Sequence, residues 1–189
     1  MIDEKKLVKA LKSAAKAGYN LFVTEGKAPL LYLFTPDWLL RLPMRELPRA
    51  VLALIVEHTG RIPEPGDCSA VYADGEQAIL PEPAQEEIAR RETGDVLDPV
   101  RCVPLRWGPR VLYQSAGSLR VWSVMPGALT LIAEDAERKF AEILGGDRML
   151  WRSDDTELIV PCYRADETAP DGVRAIWAAL ESVKLSNEE

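Results

Sequence analysis

Apolar and polar positions along the chain alternate between helical and strand periodicity. Residues 3–17 place Leu7, Leu11 and Ala14 at helical spacing, with Lys5, Lys9, Lys12 and Lys16 mostly elsewhere on the wheel. This pattern predicts an amphipathic helix. Residues 21–24 and 30–34 are β-prone and flank Glu25-Gly26-Lys27-Ala28-Pro29, which predicts a hairpin. Thr35-Pro36-Asp37 reads as a cap with proline at the first helical position, opening a short helix through Leu40. Residues 47–58 predict a stronger helix, apolar nearly all round through Leu47, Val51, Leu52, Leu54, Ile55 and Val56, and so central and buried. Gly60 stops it, and Pro63 and Pro65 prevent its continuation.

The same alternation continues downstream. Residues 69–73 and 76–80 predict a hairpin turning at Asp74-Gly75, followed by a polar helix over 82–92 and a connector over 93–99. A third hairpin is expected over 111–115 and 119–124. A helix is expected over 134–144, with Ala136, Phe140, Ile143 and Leu144 on one face and Gly145 at its stop. A fourth hairpin covers 149–152 and 157–160, and a last helix covers 170–184 with Val173, Ile176, Trp177, Leu180 and Val183 as its apolar stripe. This order resembles a tandem duplication of a ββαββα-like unit, which lays Tyr32 on Trp122, Pro36 on Pro126, Ile79 on Ile159 and Pro81 on Pro161. Tight hairpins imply antiparallel pairing, so the expected class is α+β, with antiparallel hairpins packed against helices. The expected halves are 1–95 and 96–189, either two packed units or one compact domain.

Composition adds limits rather than a chemistry. The chain has 189 residues, 47% of them hydrophobic, and a formal net charge of −7, values of an ordinary globular protein. Its longest apolar run, 51–56, is far short of a membrane helix. Acidic Asp3 and Glu4 open the chain without a following apolar stretch, which argues against a secretory signal. Cys68, Cys102 and Cys162 are few, odd in number and scattered, so a reducing, cytoplasmic setting without disulfides is expected.

Most catalytic constellations lack their parts. The one histidine, His58, sits in the last turn of a predicted helix, where it faces the negative end of the helix dipole. No G-x-S-x-G elbow, phosphate-binding glycine loop or C-x-x-C pair occurs. Neither a metal nor a cofactor is expected. Carboxylates cluster in two turns, Asp74 with Glu76 and Asp154 with Asp155 and Glu157. Asp in such turns ordinarily stabilises the turn itself. The enzyme alternative is therefore narrow: a small enzyme acting on an anionic substrate with Asp74 or Asp154 as general base.

Charge placement is more informative. Residues 82–98 carry Glu82, Glu86, Glu87, Glu92, Asp95 and Asp98, whereas 99–133 carry no acid at all. That second stretch holds Arg101, Arg106, Arg110 and Arg120, and lysine is absent between Lys27 and Lys139. Arginine makes forked contacts with carboxylate or phosphate and stacks on aromatic rings. Trp107 lies between Arg106 and Arg110, and Arg120 and Trp122 alternate onto one strand face. Arg with Trp is the composition of a recognition hot spot, although tryptophans buried in a core beneath snorkelling arginines would give the same pattern. The lysines of residues 5–16 fit either a solvated face or an anionic partner. The expected function is an intracellular non-catalytic binding or accessory module. It would recognise an acidic protein partner or small anionic ligand through Arg101, Arg106, Trp107, Arg110, Arg120 and Trp122. Four arginines are too few for a nucleic-acid groove. A third expectation is a structural subunit that docks through its last helix.

Overall fold

A computed structural model describes residues 2–165 and 167–185, with the backbone alone at 97, 98, 135 and 136. The side chains of Asp98 and Ala136, used above, thus lie outside the described residues. The strands are β1 (Tyr19–Val23), β2 (Leu30–Thr35), β3 (Trp38–Pro43), β4 (Cys68–Tyr72), β5 (Gly75–Ala78), β6 (Val96–Trp107), β7 (Arg110–Ser115), β8 (Val121–Val124), β9 (Phe140–Leu144), β10 (Arg148–Ser153) and β11 (Thr156–Tyr163). The helices are α1 (Glu4–Ala14), α2 (Arg49–Thr59), α3 (Pro81–Glu92), α4 (Pro126–Leu129), α5 (Asp135–Arg138) and α6 (Asp171–Glu181).

All these strands join one antiparallel sheet in the order β10-β9-β6-β7-β8-β11-β3-β2-β1-β4-β5, and β10 also pairs with β11. The α+β class therefore holds. The extra pairing closes β6, β7, β8, β11, β10 and β9 into a ring. β3 attaches to β11 beside β8, and the first-half strands continue from it. Side chains alternate with the strand period of two. Val100, Val111, Tyr113, Trp122, Ile143, Met149, Trp151 and Leu158 join one continuous core. That core extends over Leu21, Leu31, Leu33, Leu40 and Val71 and is covered there by Leu7 and Leu11 of α1 and Val51 and Ile55 of α2. The opposite face of the sheet is covered twice. Phe22, Phe34, Leu39, Leu150 and Ile159 lie with Ala84 and Ile88 of α3, and Val103, Leu112 and Val121 lie with Trp177 of α6.

Several expectations are corrected. No helix follows Thr35: Thr35 pairs with Trp38 across a two-residue turn at Pro36-Asp37, whose Asp37 N–H donates to Thr35 Oγ1 at 3.2 Å. β3 then alternates Leu40 and Leu42 against Leu39 on the two faces. Residues 140–144 are a strand, not the end of a helix. Ala141 and Ile143 face the core while Leu144 faces the other side, and Gly145 and Gly146, both at positive φ, turn the chain into β10. The expected connector becomes the start of β6, which is irregular between Cys102 and Arg106. α2 is not apolar all round, since Arg49, Ala50, Ala53 and Glu57 are exposed. The β4–β5 turn lies at Ala73-Asp74, one residue earlier than expected, because Tyr72 pairs with Gly75. The duplication is unconfirmed: strands β3, β6 and β9 break the element order that prompted it.

Candidate functional site

The β6–β7 hairpin builds the site. Trp107 pairs with Arg110 across Gly108-Pro109, with Gly108 in the left-handed region at φ 57°. This pairing puts both side chains on the α6 side of the sheet, together with Leu112. The Trp107 ring stacks on Tyr163 at 5.5 Å and 18°, and meets Trp177 edge-on at 4.7 Å. Tyr163 and Trp177 are also edge-to-face at 5.5 Å. Trp177 is fixed by its indole N–H, which donates to the Val121 carbonyl at 2.9 Å. The Arg110 guanidinium lies 5.8 Å from the centroids of both Trp107 and Tyr163. Such cation–π contacts hold the group over the rings and leave its N–H donors free to bind an anion.

Arg110 belongs to a minority of the described arginines, Arg49 also among them, that have no carboxylate partner. Arg41, Arg45, Arg61, Arg90, Arg91, Arg148, Arg152, Arg164 and Arg174 all pair with carboxylates. Among the described residues, Arg101, Arg106, Arg110 and Arg120 have no such partner. They are not gathered on one surface, however. Arg101 is exposed and lies over the Phe140 ring at 5.0 Å. Arg106 stands opposite core-facing Val111 and so projects to the other side of the sheet from Arg110. Arg120 is at the far end of β7 from Arg110, about 17 Å away along five strand residues. Trp122 does not share a presented face with Arg120: it is buried in the core and its indole N–H donates to Gly146 O at 3.1 Å.

Arg110 and Tyr163 also line a groove of about 830 Å³. Its walls come from α1 (Ala10, Ser13, Ala14) and Ala17 in the turn after it, the β2–β3 turn, α4 and the end of β11. Asp37 is the acid in this lining, and Met125 beside it is 49% exposed. The turn side is held from α3: Arg91 donates to the carbonyls of Thr35 at 2.7 Å and Trp38 at 3.2 Å, and Arg91 is itself paired with Glu87. Sequence reasoning missed Tyr163, Trp177 and every groove residue except Arg110. These come from elements far apart in the chain, and no local pattern joins them.

Nucleophilic and acid–base chemistry finds little support. Burial pushes the Cys162 thiol in the groove wall up to about 12, and also raises Cys68 and Cys102. His58 is buried with Nδ1 3.4 Å from the Tyr19 hydroxyl. Asp74 and Asp154 are exposed in turns, and neither lines the groove, so neither is placed to act as a base there. Among the described residues, no group of three or more His, Cys, Asp or Glu side chains could hold a metal. No described helix is long and apolar enough to cross a membrane. The last helix packs Val173, Trp177 and Leu180 of its stripe on the chain's own sheet, while Ile176 and Val183 are exposed.

No family model and no curated protein matches the chain. Among solved structures, it is similar to the DNA polymerase III β chain of Streptococcus pneumoniae TIGR4, with 10% identity and a TM-score of 0.35 over 92% of this chain and 66% of that one, a likeness too slight to assign a fold or a function.

Proposed function

We propose that the chain is a non-catalytic binding module that recognises an acidic partner through Arg110, presented on Trp107 and Tyr163. The observation that carries this reading is an arginine without a carboxylate partner, held over two rings at the mouth of a groove. A guanidinium left uncompensated in a protein of net charge −7 is poised for an external carboxylate. Arg101, Arg106 and Arg120 lie on other parts of the surface and tune the local potential rather than touch the same ligand.

Fluorescein-labelled hexaglutamate is a direct probe, read by anisotropy at low salt. A hydrogen bond to a charged group contributes about 1.5–3 kcal/mol, so Arg110→Ala should weaken binding about tenfold or more. Arg120→Ala, at the far end of the strand, should have a much smaller effect. Equal affinity in wild type and a folded Arg110→Ala variant overturns the reading, as does absence of binding to wild type.

A further inference from the structure

Trp122, Trp151 and Trp177 are each 3% exposed or less. The indole N–H of Trp122 donates to Gly146 O and that of Trp177 to Val121 O. The indole N–H of Trp151 has no acceptor among the described residues. A buried donor left unpaired costs stability, and folded chains keep few of them.

Strand pairing places Trp151 at a fork. The last pair between β9 and β10 is Glu142 with Leu150. Beyond it, Ala141 and Phe140 stay with β6, opposite Val100 and Arg101. Trp151 and Arg152 stay with β11, opposite Leu158 and Glu157. Residues on both arms of this fork line a cavity of about 350 Å³. Its apolar walls are Phe140, Trp151, Leu150, Ala141 and Pro99. Phe140 is 52% exposed, and the Arg101 guanidinium lies over its ring at 5.0 Å. The charged lining groups are Glu137, Glu142 and Arg152. Arg152 Nε is 3.4 Å from Glu142 Oε2, and Glu137 also has a partner. The charges of the lining are thus engaged, and its indole N–H is not.

We propose that this cavity binds a small, flat, uncharged organic molecule whose carbonyl oxygen or ring nitrogen accepts the Trp151 indole N–H. The volume suits such a molecule, since small-ligand sites begin at about 300 Å³. Apolar walls and charges already paired disfavour an ion, which would lose its hydration without meeting a free opposite charge. A hydrocarbon would fill the space and leave the donor unpaired. The cavity shares no lining residue with the groove beside Arg110, so the proposal stands apart from the arginine reading.

Two probes of nearly one shape test it by fluorine NMR titration of the full chain. Para-fluoroacetophenone carries a carbonyl where para-fluoro-α-methylstyrene carries a carbon–carbon double bond. Wild type should bind the ketone about fivefold more tightly than the alkene, the worth of one hydrogen bond. Trp151→Phe keeps a ring and removes the donor, so the two probes should then bind alike. Phe140→Ala removes an exposed wall and should weaken both probes severalfold. Circular dichroism checks that each variant is folded. In wild type, the ketone should also shift the Trp151 indole N–H resonance. That signal is identified by its contacts with the Tyr113 ring, which Trp151 meets edge-on at 5.8 Å. This last reading decides the matter even if Trp151→Phe fails to fold. The proposal is overturned if neither probe binds wild type, or if wild type binds both equally. It is also overturned if a folded Trp151→Phe keeps the ketone preference, if Phe140→Ala binds both probes as wild type does, or if the ketone moves another indole and leaves Trp151 unshifted.

Discussion

At the scale of single residues, tryptophan and arginine identities divided in ways that residue type does not reveal. Trp107 and Trp122 look alike in the sequence. The two-residue turn after Trp107 leaves it at a sheet margin among Tyr163 and Trp177, whereas Trp122 points into the core. The arginine-rich, acid-free stretch was legible, but its lack of internal pairing was not, because the acidic segment just upstream offered partners that the fold does not bring to it. Its scatter was not, because strand parity and hairpin length decide which face each arginine reaches. Trp177 is the base of the platform and is 2% exposed. Trp177→Ala should cost about 3–5 kcal/mol, seen as a lower urea midpoint, and should weaken hexaglutamate binding because Trp107 and Tyr163 lose their support. Glu87 gives a pH signature. Its bonds to Arg90, and then to Arg91, lower its carboxyl from 4.5 to about 2. A depressed carboxylate stabilises the fold above its unfolded value and loses that contribution as pH falls toward the folded one. Thermal stability should therefore drop between about pH 4.5 and about pH 2 more steeply in wild type than in Glu87→Gln.

Among elements, α1, α2, α3, α6 and the hairpins β1–β2, β4–β5, β7–β8 and β10–β11 were legible because each carries its own period or turn residues, whereas β2–β3 and β6–β7 were not. The misreadings share a cause: short apolar runs fit two periods at once. In Phe-Ala-Glu-Ile-Leu at 140–144, Phe140, Ile143 and Leu144 satisfy a helical face, while Ala141 and Ile143 satisfy a strand face. Pairing with β6 on one edge and β10 on the other decides for the strand, and a local reading has no access to either partner. β3 was hidden in the same way by Pro36, which serves a turn as readily as a helix start. Hydrogen exchange separates the two descriptions of 140–144. Amides of β9 that bond across to β6 and β10 should be among the slow exchangers, and those of α5 should exchange quickly. Fast exchange throughout 140–144 would contradict the strand.

For the whole molecule, one core runs from α1 and α2 through the first-half strands into the ring. β3–β11 pairing ties the same two parts by backbone hydrogen bonds. Urea unfolding followed by tryptophan fluorescence and by far-ultraviolet circular dichroism should accordingly give superimposable single transitions, and a separated second transition would show that the two parts melt apart. The halves expected on either side of residue 95 came from the repeated order of hairpins and helices, and a local order of elements does not report where apolar surface is shared. Arg91 has a further consequence. It reaches from a helix behind the sheet to the carbonyls of the bend that borders the groove in front. The entrance is therefore shaped from its back side, and a substitution or a binding event on the rear helix would alter what fits in front without touching any group that meets the guest.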